Sequence, residues 1–143
     1  MTELESSYLT LGSLPNVTRA FNQFGTVFVA DNILTRSASF KSALVGRFQG
    51  IGAVASLDGT IIETLASIRF TSGEYSGSTV ELKGIGSQDV NEMAIVGGTK
   101  QFRYATGYTT FETVRAVGDF ITAKWDLYIR LDIPDDYPGI NLH

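Results

Sequence analysis

Few side chains in this chain of 143 residues have the chemistry for acid–base or nucleophilic catalysis. The sequence contains no cysteine, and its single histidine is His143, the last residue. These counts exclude a thiol nucleophile, a cysteine zinc site and a disulfide framework, and they argue against a Ser-His-Asp triad or a multi-histidine metal site. We therefore expect no metal site, and any chemistry must come from carboxylates, tyrosines, lysines or arginines.

Asp31 is the carboxylate that the sequence singles out. It ends an apolar run, and in a β-strand it would lie on the same face as Val27 and Val29, because the three residues alternate along the chain. If that face lines the core, burial raises the pKa of the carboxyl group and allows proton exchange near neutral pH. The alternative interpretation is a residue at a strand end that accepts a hydrogen bond from a turn amide.

Arg47 and Gln49 share one face of the next run, which is otherwise apolar and rich in glycine. A buried arginine needs a carboxylate or an anionic ligand oxygen as its partner. Arg47 therefore has two possible roles: it forms an ion pair with a carboxylate of the protein, or it binds an oxygen of a ligand. The Gly97-Gly98-Thr99-Lys100 segment lacks the spacing of a phosphate-binding loop, and we expect a β-turn there.

Aromatic residues form a further candidate group. Phe102, Tyr104 and Tyr108 share one face of a predicted strand with Glu112. If these rings face inward, they line a pocket for planar ligands. An ordinary barrel core is the equally favoured alternative.

The elements that must position these residues are predicted to be strands, because apolar and polar residues alternate with period two. The clearest strand is 121–133, where Trp125 and Leu127 lie on an apolar face and Lys124 and Asp126 lie on a polar face. The only rival helix, 16–24, is short and is expected to be a loop or one helical turn. The other predicted strands are 8–11, 25–33, 44–57, 60–70, 78–84, 90–96 and 101–116.

These segments give about eight strands, several of them long, and this pattern favours a closed antiparallel β-barrel over a sandwich. The whole chain, 1–143, is predicted to be one domain that ends in a C-terminal tail, 134–143. Fifteen acidic residues against eleven basic residues argue against nucleic-acid binding. No apolar stretch is long enough for a membrane helix, and no signal peptide is visible at the N-terminus.

Four segments, in order, resemble the dirigent family of plants over about residues 22–115. The segments 24–27 and 31–35 resemble its first core strand and the Asp-Asp-Pro-Leu-Thr motif that follows. The other three are 44–50, similar to a Val-Gly-Arg-Ala-Gln-Gly run; 73–79, similar to Glu-Tyr-Asn-Gly-Ser-Thr; and 92–99 with the strand after it, similar to Glu-Met-Pro-Val-Val-Gly-Gly-Thr-Gly.

The resemblance implies an eight-stranded barrel of the allene oxide cyclase-like kind, usually a homotrimer, that uses no cofactor. It implies that the chain binds a phenolic intermediate, made by a separate oxidase, and steers stereoselective coupling or cyclisation. Alternatives are an isomerase of a polyunsaturated substrate and a non-catalytic carrier of an apolar ligand. It also implies a secreted protein, with a cytoplasmic location as the alternative.

Transferred to this chain, the resemblance makes Asp31 the acid or base. Arg47, with Gln49 beside it, becomes an anchor for a substrate oxygen or a structural partner. The pocket walls implied are Tyr75, Phe102, Tyr104 and Tyr108.

The chain departs from the family pattern at several positions. Asn32-Ile33 stands where the family often has Asp-Pro, Gln101 where some members have aspartate, and Thr106 where arginine is common. The common cysteine pair is missing, and the segment 1–23 is atypical. We therefore expect this pocket to lack a second carboxylate and a guanidinium group.

Overall fold

Eight β-strands make up most of the part of the chain that the computed structural model describes, which is residues 2–10, 22–39, 41–87, 89–117 and 120–135. The all-β prediction is therefore confirmed. No helix among these residues is long and apolar enough to cross a membrane. The strands are β1 (Thr2–Thr10), β2 (Val27–Thr35), β3 (Leu44–Val54), β4 (Ile62–Phe70), β5 (Thr79–Gly86), β6 (Glu92–Thr99), β7 (Ala105–Val117) and β8 (Phe120–Leu131).

The strands form one closed barrel in sequence order, and β1 pairs with β8 to complete it. Every neighbouring pair is antiparallel. Closure pairs the backbone groups that an open sheet would leave exposed at its two edges. The predicted barrel is thus confirmed. The segments 16–21 and 136–143, which belong to the predicted loop and tail, lie outside the described residues.

Two local predictions are wrong at the junction between β6 and β7. The segment 101–116 is not one strand, because Lys100–Phe102 forms a turn of 3-10 helix before β7 begins. Gly97 and Gly98 lie inside β6 rather than in a turn. Among the described residues other than glycine, positive φ angles occur at Lys100 (52°), the first residue of the helical turn, and at Tyr104 (65°), two residues after the turn ends.

Alternate residues on each strand point into the barrel and form its core. On β2 these are the even-numbered residues, and the register carries the same face through the neighbouring strands. Burial of these apolar side chains is the main stabilising contribution to the fold. The buried members are Leu34, Phe48, Val54, Ala66, Ile68, Phe70, Val80, Leu82, Met93, Ile95, Ala105, Trp125 and Leu127.

An aromatic cluster covers one end of the core. The ring centroid of Phe70 lies 5.3 Å from that of Phe102 and 5.7 Å from that of Tyr75. The Tyr75 and Phe102 centroids are 5.0 Å apart. Gln101 ties the helical turn to the β4–β5 connection, because its Nε2 donates a hydrogen bond of 2.8 Å to the carbonyl oxygen of Glu74. We call this end the closed end.

The inward side chains are less covered at the opposite end, where β2 begins and β7 approaches its last residues. Phe28, Thr64, Phe111 and Ala123 are only half-buried there. Ile121, also on the inward face, is exposed. Within its described residues the barrel is therefore more accessible from this end, which we call the open end.

Two leucines test the assignment of the inward face. Leu34 is 1% exposed and Leu57 is 86% exposed. Because Leu34→Ala leaves a cavity in the core, we expect it to lower the free energy of unfolding by about 2–5 kcal/mol. Leu57→Ala, the matched control, should change it by less than about 0.5 kcal/mol. Urea unfolding measures both, and equal losses would contradict the assignment.

Candidate functional site

Asp31 lies on the outside of the barrel. Its side chain is 55% exposed, and it shares that outer face with the exposed Val27 and Val29. The prediction that this face lines the core is wrong, because the buried residues of β2 are Asn32 and Leu34. The alternative of a turn residue is also wrong, since Asp31 sits in the middle of β2.

Arg47 pairs with Asp31 across the outer face. Its Nε donates a hydrogen bond of 2.7 Å to Oδ1 of Asp31. Gln49 lies directly opposite Asp31 on β3, and its Oε1 accepts a hydrogen bond of 3.3 Å from Nε of Arg69. The structure thus supports the structural pairing of Arg47. Neither Arg47 nor Gln49 faces the interior, where a substrate anchor would have to be.

The Arg47 hydrogen bond lowers the pKa of Asp31, against a smaller raising effect of burial. The charges of Arg47 and Arg69 and a hydrogen bond with Gln49 act in the same direction as the main cause. The predicted rise of this pKa is therefore wrong. The acid–base role of Asp31 stays a prediction, but the two premises behind it, an inward position and a raised pKa, no longer support it.

The four predicted pocket-wall aromatics divide between the closed end and the outer surface. Phe102 is buried and Tyr75 half-buried in the closed-end cluster. Tyr108 is exposed on the outer face of β7, where its ring stacks on Tyr128 at 4.7 Å between centroids. Tyr104 is exposed in the turn before β7. The prediction of one shared face is wrong, because the helical turn interrupts the alternation.

Three other aromatic side chains form a continuous surface inside the barrel. The Phe48 and Trp125 ring centroids are 5.2 Å apart. Phe111 stacks on Trp125 with 4.7 Å between centroids and 24° between ring planes. We call these three residues the aromatic wall. It runs from the buried middle of the barrel to the half-buried Phe111 at the open end, so a planar ligand can extend the stack there.

Asn32 is the inward residue that the sequence analysis did not select. It is 2% exposed and lies directly opposite Phe48 on β3. Dirigent proteins often carry consecutive aspartates at the positions that correspond to residues 31 and 32. In this chain the inward position, 32, has an amide in place of a carboxylate, and the outward position, 31, keeps its aspartate. The expected loss of a second carboxylate therefore concerns the interior of the barrel.

The glycines of β3 are the sequence feature that could have identified Asn32 as an inward residue. A Cβ atom on Gly46 would lie 2.2 Å from the carbonyl oxygen of Arg69, and one on Gly50 would lie 2.8 Å from Cβ of Ala66. Glycines at alternate positions thus mark the crowded inward face of β3. The antiparallel register then places Asn32, and not Asp31, on the same side.

All described side chains that alternate into the barrel from β2 to β8 are neutral. The polar ones include Asn32, Thr64 and Thr109, and Thr109 already donates a hydrogen bond of 2.9 Å to the carbonyl oxygen of Asp126. Nor do the described residues contain a cluster of three or more acidic, histidine or cysteine side chains fit to hold a metal ion. This part of the interior can bind a ligand by shape, stacking and neutral hydrogen bonds.

Comparison with known proteins agrees with the barrel and its motifs. A family model described as dirigent-like protein matches residues 4–130. Dirigent protein 1 of Arabidopsis thaliana is 33% identical over 109 residues, and pterocarpan synthase 1 of Glycine max is 43% identical over 112 residues. Each match covers 75% of this chain and 60% of the relative, so the chain spans about three fifths of the length of these relatives.

A solved structure gives the same fold. The structure of the pterocarpan synthase dirigent protein GePTS1 superposes with a TM-score of 0.76 and 29% sequence identity. The superposition covers 90% of this chain and 86% of that one. The similarity therefore extends over nearly the whole barrel rather than a single motif.

The Asp31–Arg47 pair makes a testable contribution to stability. In the single chain, where the pair is exposed to solvent, we expect Asp31→Asn to lower the free energy of unfolding by less than about 1 kcal/mol at pH 7. The pKa is lower in the folded protein, so this stabilisation is present above the unfolded value of about 3.9 and is lost as the pH falls through the folded value.

Urea unfolding of both proteins from pH 7 down to pH 3 measures the effect, with Arg47→Gln as the reciprocal variant. The wild-type protein and the Asp31→Asn variant should converge in stability at the acidic end. A difference that grows on acidification would contradict the lowered pKa.

Proposed function

Because this chain belongs to the dirigent family, we propose that it binds a phenolic intermediate at the open end of its barrel and steers stereoselective coupling or cyclisation without a cofactor. The observation that carries the proposal is the aromatic wall. Its outermost ring, Phe111, is half-buried and is backed by Trp125. A phenolic ring placed on Phe111 has one face covered by protein and the other open to a reaction partner.

Covering one face contributes to stereocontrol, because a chiral site that limits the relative orientation of two reacting groups removes some of the wrong approaches. Orientation of this kind can lower a barrier by several kcal/mol. The neutral interior suits this role, since an inward charge without a partner would itself be costly to bury. In this proposal Asn32 supplies a neutral hydrogen-bonding group at the depth of Phe48.

For a coupling reaction, a separate phenol oxidase must make the radicals. Each phenol loses one electron and one proton to the oxidase, and two radicals then combine to form one new bond. The barrel acts only on the second step. It should therefore change which stereoisomer forms and leave the rate of phenol oxidation unchanged.

A coupling assay tests the proposal directly. Coniferyl alcohol is oxidised by a phenol oxidase with and without the protein, and the products are separated by chiral chromatography. We expect an excess of one enantiomer with the wild-type protein and a reduced excess with Phe111→Ala, because the stacking ring is lost.

Tyr128→Ala is the matched control for Phe111→Ala. It also removes an aromatic ring, but on the outer face of β8, and it should retain the wild-type excess. A racemic product with the wild-type protein would contradict stereoselective coupling. Turnover of a phenolic substrate in the absence of any oxidase would favour cyclisation, and neither activity would favour a carrier.

We further propose that the protein is a homotrimer, with the outer face of β2, β3 and β4 in the interface. Val27, Val29, Ile51 and Leu65 are all exposed on this face, and Val29 reaches 74%. Large apolar side chains that cluster on one outer face typically mark a protein contact. The Asp31–Arg47 pair lies on the same face and already neutralises its own charges.

The Val29→Asp variant tests this interface. Static light scattering should give the mass of three chains for the wild-type protein at micromolar concentration and a smaller assembly for the variant, because a buried unpaired carboxylate is unfavourable. Ala94→Asp, on the exposed outer face of β6, is the control and should keep the wild-type mass. A wild-type monomer would contradict the homotrimer.

A further inference from the structure

Tyr108 and Tyr128 form a stacked pair on the outside of the barrel that the proposed function does not use. They lie directly opposite each other on β7 and β8, with 4.7 Å between ring centroids and 19° between ring planes. Because this distance equals the spacing of neighbouring strands, each ring stands above its own strand, and the second face of Tyr108 points towards β6. Tyr108 is 41% exposed, whereas Tyr128 is half-buried.

The outward residues of β6 are too small to cover the second face of Tyr108. Ala94 lies directly opposite Tyr108 and is exposed. Further along β6 come Val96, which is also exposed, and Gly97, where a Cβ atom would meet no atom within 4 Å. A strip of small side chains therefore begins beside the ring of Tyr108 and continues along the outer face of β6.

Lys83 borders this strip on the side away from Tyr108. It lies opposite Ala94 on β5, so two strand spacings, about 10 Å, separate the strands of Lys83 and Tyr108. Its Nζ donates a hydrogen bond of 3.3 Å to Oε2 of Glu63, which leaves two of its three N–H donors for a ligand. We call the space over Ala94, between Tyr108 and Lys83, the β6 trough.

The charges beside the β6 trough favour a neutral ligand. Lys83 is already paired with Glu63. The next outward residue of β5, Glu81, accepts hydrogen bonds from the hydroxyl groups of Ser67 and Thr79 and forms no ion pair with any described residue. An acidic ligand would be repelled by this uncompensated carboxylate, whereas a neutral hydroxyl group can donate a hydrogen bond to it.

We propose that the β6 trough binds a neutral oligosaccharide of equatorially substituted pyranose rings. Such a ring has C–H groups on its faces and hydroxyl groups around its edge. The weakly positive C–H groups pack on the electron-rich face of Tyr108. The edge hydroxyls form hydrogen bonds with the ammonium group of Lys83 and the carboxylate of Glu81. This site lies outside the barrel and goes beyond the proposed function.

Isothermal titration calorimetry with cellohexaose, a neutral chain of β-linked glucose units, tests the site. We expect the wild-type protein to bind it and Tyr108→Ala to weaken the binding about twofold to tenfold, the range of one lost aromatic contact. Ala94→Leu keeps both tyrosines but covers the ring face of Tyr108, so it should weaken binding to a similar extent. Tyr108→Phe keeps the ring and should retain the wild-type affinity.

Leu57→Ala is the control for the loss of an exposed apolar side chain, because Leu57 lies on the connection between β3 and β4, outside the β6 trough. It should bind cellohexaose like the wild-type protein. Trigalacturonate, an acidic sugar oligomer, is the control ligand and should bind more weakly than cellohexaose. Thermal unfolding checks that each variant is folded, and if Tyr108→Ala does not fold, Ala94→Leu decides the result.

A wild-type protein that does not bind cellohexaose at millimolar concentration would overturn the inference. Wild-type affinity in both Tyr108→Ala and Ala94→Leu would do the same, and so would tighter binding of trigalacturonate. Static light scattering tests whether a second copy of the chain occupies the β6 trough instead, in which case Tyr108→Ala should give a smaller assembly than the wild-type protein. None of these outcomes depends on the enantiomeric excess of the coupling assay, which tests the proposed function.

Discussion

The site depends on which of the two alternating faces of each strand points into the closed barrel. A closed eight-stranded barrel has a narrow interior, and side chains from all strands share it. On β3 this crowding leaves room only for hydrogen at Gly46, Gly50 and Gly52, so the even-numbered face must be the inner one. Antiparallel pairing then brings Asn32 inside and leaves Asp31 outside.

The division of chemistry between the two faces follows from this geometry. Charged groups such as Asp31 and Arg47 pair with each other on the outer surface, where solvent reduces both the cost and the benefit of the ion pair. The described interior keeps aromatic and neutral polar side chains, because an unpaired charge there would be unfavourable. Phe111 and Trp125 provide a stacking surface, so control of orientation is the contribution that this part of the interior can make.

The sequence predicted the architecture well and the site poorly, for identifiable reasons. On β8, Trp125 and Leu127 alternate with charged residues, so the dry face was unambiguous. On β2, Val27 and Val29 alternate with Phe28 and Ala30, and two apolar faces cannot be distinguished by hydropathy.

The aromatic residues Tyr104 and Tyr108 were misplaced for a different reason. The 3-10 turn of Lys100–Phe102, followed by a positive φ at Tyr104, breaks the alternation just before β7. A backbone irregularity of this kind leaves no mark in hydropathy periodicity. A crystal structure with a bound phenol tests the account most directly: the ligand should lie inside the open end of the barrel against Phe111, and a ligand bound outside the barrel beside Asp31 or Tyr108 would contradict it.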